Sequence, residues 1–225
     1  MSPSGTNAWA PLKIAPFRLR QPLQREAAIN DHNHNGFEFI FARIDSWFKT
    51  GDEMSFDPQP NLKGELIELR PLTREDWDDL FALASDPLIW EQHPESDRHK
   101  ENVFKVFFRE ALESGGAFVV VDKKSQKIIG STRFYGYDPE KSEIEIGWTF
   151  LARKYWGGRY NREMKQLLLA HAFKFVENVV FFVGPNNIRS QKAMEKIGGI
   201  RNGIVKRVFG NHPPALNVRY VIKRP

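Results

Sequence analysis

Two glutamates on one predicted strand have the side chains best suited to acid–base chemistry. Glu143 and Glu145 alternate with Ile144, Ile146 and Trp148 in the run SEIEIGWTF. Because neighbours on a β-strand point to opposite faces, the pattern predicts both carboxylates on one face and the apolar side chains on the other. A carboxylate can take the proton that an alkylammonium must lose before it attacks an acyl carbon, especially if burial raises its pKa. Ordinary alternation on a half-solvated strand gives the same pattern.

A second group of residues, in LARKYWGGRYNREMK, predicts an anion-binding turn. Gly157 and Gly158 precede a predicted helix, whose free N–H groups and dipole bind phosphates without side-chain help. Glycine also lets the backbone approach a ligand closely. Positive side chains surround the same turn: Arg153, Lys154, Arg159, Arg162 and Lys165. Taken alone, a Gly-Gly pair before a helix is a common start signal.

The run GPNNIRSQKAMEKIGG at 184–199 predicts a short helix after an apolar strand. Asn187 stands where an N-cap belongs, and Gly198–Gly199 ends the helix. Ile188, Ala193, Met194 and Ile197 form its buried stripe. The Ser190 hydroxyl is available for chemistry, although hydrogen bonding within the first helical turn is the alternative.

The remaining periodicity predicts an α+β domain built on one mixed sheet. A capping box at Thr73 and Asp76 starts the first helix. The predicted elements are strand Glu65–Leu72, a helix with Trp77, Leu80, Phe81 and Ala84, a helix with Phe104–Leu112, strands Ala117–Val121, Ile128–Tyr137 and Glu143–Leu151, a helix from about Tyr160 to Val176, strand Val179–Val183, the helix after Asn187, and strands Ile200–Arg207 and Val218–Lys223.

With the preceding strand Val179–Val183, the run N-x-R-S-Q-x-A-M-E-K-x-G resembles the C-terminal motif of the GNAT superfamily of acyl-CoA N-acyltransferases. It is most similar to the branch that includes the ribosomal-protein acetyltransferases RimJ and RimL. The resemblance covers roughly Gly64 to the C-terminus. It implies a mixed, mostly antiparallel sheet, flanked by about four helices, that splays open in its middle to admit the pantetheine arm of acetyl-CoA.

The turn before the long helix resembles the GNAT pyrophosphate loop, Q/R-x-x-G-x-G/A, and departs from it. Trp156 stands at the Q/R position, Arg159 at the first Gly and Asn161 at the final Gly/Ala. Asn161 opens N-x-E-x-K, a variant found in the RimL-like branch. Arg159 either obstructs the pyrophosphate or binds it through its guanidinium, and both readings stay open.

The resemblance also implies roles for individual residues. Glu145 would be the general base, directly or through water, with Glu143 in reserve, and Ser190 would assist departure of the thiolate. Backbone amides near Phe150 would polarise the thioester carbonyl. The implied cofactor-binding set is Phe150, Leu151, Arg153, Lys154, Trp156, Gly157, Gly158, Arg159, Tyr160, Asn161 and Asn187.

In GNAT-like folds the connection between the first two helices overhangs the acceptor pocket. Here it reads LIWEQHPESDRH, so Trp90, Glu91 and His93 are the predicted substrate contacts. A loop role for this His-Pro pair is the alternative. His171, on the inner stripe of the long helix, is predicted to be a core or capping residue and not a catalytic one.

Composition limits the function classes. The 225 residues include no Cys, which excludes disulfides and thiolate chemistry, and no His-Glu metal signature appears, so we expect no metal. The net charge of +5 suits a polyanionic partner such as coenzyme A. Basic and aromatic residues are not interleaved, so no nucleic-acid partner is predicted. The absence of a long apolar run predicts no membrane partner and a cytoplasmic location.

Residues 1–62 are predicted to be an N-terminal extension, and 63–225 the GNAT-like domain. The first 25 residues are basic, free of acid and broken by prolines, which favours partial disorder over a transit peptide. A short amphipathic helix over 36–49 would carry Phe37, Phe41, Ile44 and Phe48, either docked on the domain or pairing protomers.

The sequence therefore predicts an N-acetyltransferase that moves the acetyl group of acetyl-CoA to a primary amine in a ternary complex. The amine would be a protein N-terminal α-amine or a small molecule, and the protein a monomer or homodimer. A non-catalytic acyl-CoA-binding or regulatory module with the same fold is the first alternative, which Trp156 and Arg159 favour. A basic partner-binding protein that uses its extension is the second.

Overall fold

A computed structural model describes residues 55–209 and 212–225. The predicted helix at 36–49 and most of the predicted extension lie outside the described residues. Residues 55–62 of the predicted extension are among the described residues, and some of them contact the domain. Phe56 packs on the core, and the Gln59 side-chain amide donates to the carbonyl oxygen of Ala117 at 2.7 Å.

One eight-stranded sheet forms the centre of the described domain, and its spatial order is β1-β2-β3-β4-β5-β6-β8-β7. All neighbouring strands are antiparallel except β5 and β6, which are parallel. The strands are β1 (Leu62–Lys63), β2 (Ile67–Pro71), β3 (Ala117–Asp122), β4 (Lys127–Asp138), β5 (Glu143–Leu151), β6 (Asn178–Val183), β7 (Ile200–Arg207) and β8 (Ala215–Lys223).

Four α-helices cover the two faces of the sheet. They are α1 (Trp77–Ala84), α2 (Glu101–Glu113), α3 (Arg159–Ala172) and α4 (Ile188–Lys196). The apolar stripe of α3, Met164, Leu168 and Ala172, recurs every four residues and is completely buried. It packs with α4 residues in one core cluster, whereas α1 and α2 pack in a second cluster. We call the two sides the α3–α4 face and the α1–α2 face.

The sheet opens in its middle. Only three residue pairs join β5 to β6, the last being Glu145 with Val180, although both strands continue beyond that point. The residues after Glu145 and after Val180 therefore have no strand partner across this boundary. A parallel pair that separates in this way leaves a gap through the sheet, as the resemblance implied.

The predicted α+β class, the mixed and mostly antiparallel sheet and the four helices are confirmed. The capping box of Thr73 and Asp76 is also present, with the Thr73 N–H donating to the Asp76 carboxylate at 2.8 Å. The long helix is shorter than predicted. It ends at Ala172, and residues 173–176 continue as turns, so the prediction to Val176 was wrong by one helical turn.

No helix within the described residues has the length and apolar character needed to span a membrane.

Candidate active site

A cleft runs through the sheet where β5 and β6 separate. Its walls come from both strands, from the start of α3, from α4, and from the segment between α1 and α2. Gly157, Asn161 and Asn187 line it on one side, and Trp90 and His93 on the other. The cleft is therefore bordered by elements from both faces of the sheet.

A bulge in β5 shapes the centre of the cleft. Trp148 has φ of 50°, a left-handed value that non-glycine residues rarely adopt, and the register with β4 shifts at this point. The prediction that Trp148 projects with Ile144 and Ile146 was therefore wrong. Its ring packs on the α1–α2 face, against Tyr135, whereas the two isoleucines lie in the other core cluster.

The start of α3 is the segment where we predicted an anion-binding turn. Gly157 has φ of +70°, and no heavy atom lies within 4 Å of the position that a Cβ would occupy there. Gly158 is the N-cap residue, so the first N–H groups of α3 are free for a ligand. The Arg159 side chain is 76% exposed, and its nearest ion-pair partner is Glu65 at 4.0 Å. It therefore leaves this turn open.

Trp156 has a structural role in the cleft wall. Its indole N–H donates to the carbonyl oxygen of Leu151 at 2.8 Å, which fixes the end of β5. The guanidinium of Arg189 lies over the indole, with Cζ 4.0 Å from the ring centroid, and donates to the carbonyl oxygen of Ile89 at 2.9 Å. Arg189 thus joins three segments that border the cleft. We did not predict this role, because it depends on contacts distant in sequence.

Asn187 and Ser190 begin α4 at the cleft wall. The Asn187 side-chain oxygen accepts the Ser190 backbone N–H at 3.0 Å, so the predicted N-cap is present. Both residues also line the cleft. The cap therefore does not prevent a contact with a ligand, and it orients α4 towards one.

Lys165 is a cleft residue that sequence reasoning placed incorrectly among the charges around the turn. It is 2% exposed, and its Nζ donates to Thr149 Oγ1 at 2.7 Å. Burial lowers the pKa of Lys165 to about 7. A sequence signal was available, because Lys165 lies three residues before Leu168 and seven before Ala172, and so shares their buried helix face.

The segment between α1 and α2 forms the opposite wall. Trp90 is buried, and its indole N–H donates to the carbonyl oxygen of Ala84 at 2.7 Å. His93 Nδ1 accepts the Glu95 backbone N–H at 3.0 Å, and its Nε2 lies 3.0 Å from the Arg98 guanidinium. Burial, reinforced by Arg98, lowers the pKa of His93 to about 3. His93 is therefore neutral at physiological pH and too weak a base to take a proton from an ammonium.

The two glutamates of β5 share one face of the strand, but their carboxylates lie outside the cleft walls. Arg207 donates two hydrogen bonds to the Glu145 carboxylate, at 3.0 and 2.7 Å, and Arg219 pairs with Glu143. Burial raises the pKa of Glu145, and the bonded Arg207 partly opposes that shift. One Glu145 oxygen lies 3.2 Å from the position of a Cβ on Gly147, which does line the cleft.

Other predicted site residues make contacts elsewhere. Arg153 pairs with Asp86 at 2.5 Å, the Lys154 ammonium lies over the Tyr155 ring, and the Tyr160 hydroxyl faces Asp122. Glu91 is exposed and outside the cleft walls, as is Gly158. Phe150, Leu151, Trp156, Gly157, Asn161 and Asn187 remain as cofactor candidates that line the cleft.

His171 is buried in the core as predicted, with Nε2 2.8 Å from the carbonyl oxygen of Asp57. Within residues 55–209 and 212–225, no group of three or more His, Cys, Asp or Glu side chains is arranged to hold a metal ion.

The chain is similar to known acetyltransferases in sequence and in fold. Residues 67–200 match the family model of the acetyltransferase (GNAT) domain. The chain is 28% identical over 141 residues to the uncharacterized N-acetyltransferase YnaD of Bacillus subtilis (strain 168), and the match covers 62% of this chain and 82% of YnaD.

Solved structures share the fold. A probable GNAT-family acetyltransferase from Chromobacterium violaceum superposes with a TM-score of 0.65 at 22% identity, covering 74% of this chain and 87% of its own. RimJ of Mycobacterium smegmatis, in complex with CoA-disulfide, superposes with a TM-score of 0.54 at 19% identity. The match covers 74% of this chain and 88% of the RimJ chain. Because the matched model spans more than half of the sequence, the chain belongs to the GNAT acetyltransferase family.

Proposed function

We propose that this protein is an N-acetyltransferase that transfers the acetyl group of acetyl-CoA to a primary amine by direct attack in a ternary complex. The observation that carries the proposal is the cleft that crosses the sheet between β5 and β6. It allows a thioester to enter from one face and an amine from the other, so both reactants meet without leaving the protein. RimJ-like fold neighbours and the sequence motif favour a protein N-terminal α-amine, with a small amine as the alternative.

The residues on the α3–α4 face fit coenzyme A. Free N–H groups at the start of α3 suit its pyrophosphate, and Gly157 leaves open space for it. Asn161 and Asn187 offer amide groups to the pantetheine arm. After the bulge, the backbone amide of Phe150 is the candidate donor to the thioester carbonyl, where negative charge develops during attack.

The acceptor amine would enter past Trp90 and His93. An ammonium must lose its proton before it attacks, and neutral His93 is a poor base for that step. Glu145 remains the candidate base, acting through water, because its carboxylate lies beside Gly147 of the cleft wall and burial raises its pKa. Glu143, paired with Arg219 further from the cleft, remains the reserve.

Titration calorimetry of acetyl-CoA at physiological salt tests cofactor binding. We expect a Kd of about 1–100 μM, equivalent to about −8 to −5.5 kcal/mol. The variant Gly157→Asp places a carboxylate at the phosphate turn and should weaken binding by about tenfold or more. Gly115→Asp is the matched control, since Gly115 also has positive φ and open space around a Cβ position but lies beyond α2. Equal effects of the two substitutions would contradict the proposal.

A screen of peptides and small amines with acetyl-CoA tests the reaction, with release of the free thiol as the readout. Turnover with an amine supports the enzyme. Binding of acetyl-CoA without turnover of any amine would favour the non-catalytic acyl-CoA-binding module, for which the pairing of Glu145 with Arg207 is the supporting observation. Absence of binding below about 1 mM would overturn both functions.

A further inference from the structure

The ammonium of Lys165 lies where the two central strands separate. Its Nζ donates to Thr149 Oγ1 at 2.7 Å and lies 5.5 Å from the centroid of the Phe181 ring. Thr149 is on β5 and Phe181 on β6, and both come after the last paired residues of those strands. Lys165 reaches this point from α3, the helix whose N-terminus forms the phosphate turn. It therefore approaches the cleft from the side assigned to coenzyme A.

Among the described residues, Lys165 has no carboxylate partner to account for its burial. Its Nζ donates to Thr149, and burial alone shifts its pKa, with no contribution from a neighbouring charge. Burial is the cause that lowers its pKa, to about 7. Burying an unpaired amine destabilises a fold, and an apolar side chain of similar length would fill the same space. Lys165 lines the cleft despite this cost to stability, which indicates that its amine interacts with a ligand.

We propose that Lys165 is the proton donor to the sulfur atom that leaves the acyl thioester. This inference rests on the proposed function, and it adds a catalytic residue to it. Ser190 is less suited to the step, because a hydroxyl of ordinary acidity gives up its proton far less readily than an ammonium that titrates near neutrality. Ser190 keeps the role of a hydrogen-bond donor at the cleft wall.

The proton balance is as follows. The neutral amine attacks the thioester carbonyl carbon and forms a C–N bond. The C–S bond then breaks, and its electron pair stays on sulfur, which takes a proton from the Lys165 ammonium. The new amide gives its surplus proton to water, and the neutral Lys165 takes a proton from water before the next turnover. No oxidant, reductant or further reactant is needed.

The thiol of bound coenzyme A reports on this contact without any amine acceptor. A thiolate and the Lys165 ammonium stabilise each other's charge, so the thiol of bound coenzyme A should titrate at lower pH in the wild type than in Lys165→Met, by about one unit or more. Ultraviolet absorbance of the thiolate as a function of pH measures this difference. Lys174→Met is the matched control, because Lys174 is an exposed lysine just after α3. Coenzyme A bound to this variant should show the same thiol titration as coenzyme A bound to the wild type.

Lys165→Arg separates charge from proton transfer. Its guanidinium stays charged and cannot donate a proton, so the lowered thiol pKa should persist while kcat with an amine falls by about tenfold or more. If Lys165→Met fails to fold, the thiol pKa of coenzyme A bound to the wild type is compared with that of free coenzyme A. The kcat of Lys165→Arg then completes the test.

Three outcomes would overturn the inference. If coenzyme A binds but its thiol titrates alike in the wild type and Lys165→Met, Lys165 does not contact the sulfur and the proposed function survives. If mass spectrometry finds Lys165 acetylated after incubation with acetyl-CoA, the residue is an acceptor and not a proton donor. If the wild type does not bind coenzyme A, the proposed function fails together with this inference.

Discussion

The Arg207 guanidinium binds the Glu145 carboxylate through two hydrogen bonds, at 3.0 and 2.7 Å, although β7 and β5 are not neighbours in the sheet. Arg207 also lies over the Phe182 ring, with Cζ 3.6 Å from its centroid. Arg219 of β8 pairs with Glu143 through one terminal nitrogen, and its other donates to Asn202 at 2.7 Å. Since only three residue pairs join β5 to β6, these two ion pairs help to hold together the halves of a sheet that separates to form the cleft.

Removal of Arg207 should therefore destabilise the fold. Arg207→Met leaves the Glu145 carboxylate, which is 6% exposed, without its partner, and we expect a loss on the order of 3 kcal/mol in the free energy of unfolding. Adding Glu145→Gln to the same chain should recover at least half of that loss, because no buried charge is then left unpaired. Urea denaturation of the single and double variants measures both effects.

Lys63→Met is the control for that series. It breaks an ion pair with Glu68, at 3.9 Å, in which the lysine side chain is 70% exposed. The free energy of unfolding should therefore change by no more than about 0.5 kcal/mol. A double variant less stable than Arg207→Met alone would show that the unpaired carboxylate is not the cause.

If Glu145 is the base, Arg207 should also set the pH at which the enzyme works. A base acts when deprotonated, so activity falls as the pH drops through its pKa, and Arg207 lowers that pKa. Arg207→Met should therefore move the acidic limb of kcat/KM to higher pH by about one unit or more. Glu145→Gln should reduce kcat with little change in the Kd of acetyl-CoA. If the acidic limb of kcat/KM does not move in Arg207→Met, and folded Glu145→Gln is still active, then the Glu145–Arg207 pair has only a structural role.

Mild acid should lower the stability of the fold through His93, which lies on the acceptor side of the cleft. Its folded pKa of about 3 lies below the ordinary value of 6.5, so the folded state prefers the neutral ring. The resulting stability is fully present above pH 6.5 and is lost as the pH falls towards 3. Between pH 6.5 and 4 we expect a loss on the order of 3 kcal/mol from this group.

His93→Asn should flatten that part of the stability–pH curve, because its side-chain oxygen can accept the Glu95 N–H in place of Nδ1 and does not titrate. His99→Asn, on the neighbouring turn, is the control and should follow the wild type. Parallel curves for the wild type and His93→Asn would rule out His93 as the source of the acid sensitivity.

The features that the sequence could predict depend on local interactions. The Asn187 cap spans three residues, and the alternation of Glu143 and Glu145 follows from strand geometry, so both are present as predicted. The same alternation failed at Trp148, because a bulge reverses the side on which the residue lies. A bulge depends on the partner strand, which no pattern within SEIEIGWTF reveals.

The features that could not be predicted depend on residues far apart in the chain. The partner of Glu145 comes from position 207, and the interaction that fixes Trp156 comes from Arg189. Lys165 resembled a surface charge because it follows four basic residues, but its helical position places it on the buried face. For a charged residue, helical periodicity was here the better guide than the charge of its neighbours.

Glu163 in the first turns of α3 anchors the start of β2. Its carboxylate accepts the backbone N–H groups of Leu66 at 2.9 Å and Ile67 at 3.2 Å, and also that of Glu65. A Cβ on Gly64 would lie 2.5 Å from Glu163 Oε1, so only glycine permits this approach. The contact joins the start of β2 to the helix that carries the phosphate turn.

Gly64→Ala should thus displace the Glu163 carboxylate from those N–H groups, at a cost of about 0.5–1.5 kcal/mol, because the groups are exposed or only part-buried. Glu163→Ala should cost a similar amount, and the double variant little more than either, because both single changes remove the same interaction. Thermal unfolding followed by circular dichroism measures all three, and additive losses would indicate that Gly64 and Glu163 act independently. Because the contact holds α3 in place, the Kd of acetyl-CoA should rise in the same variants by only a few fold.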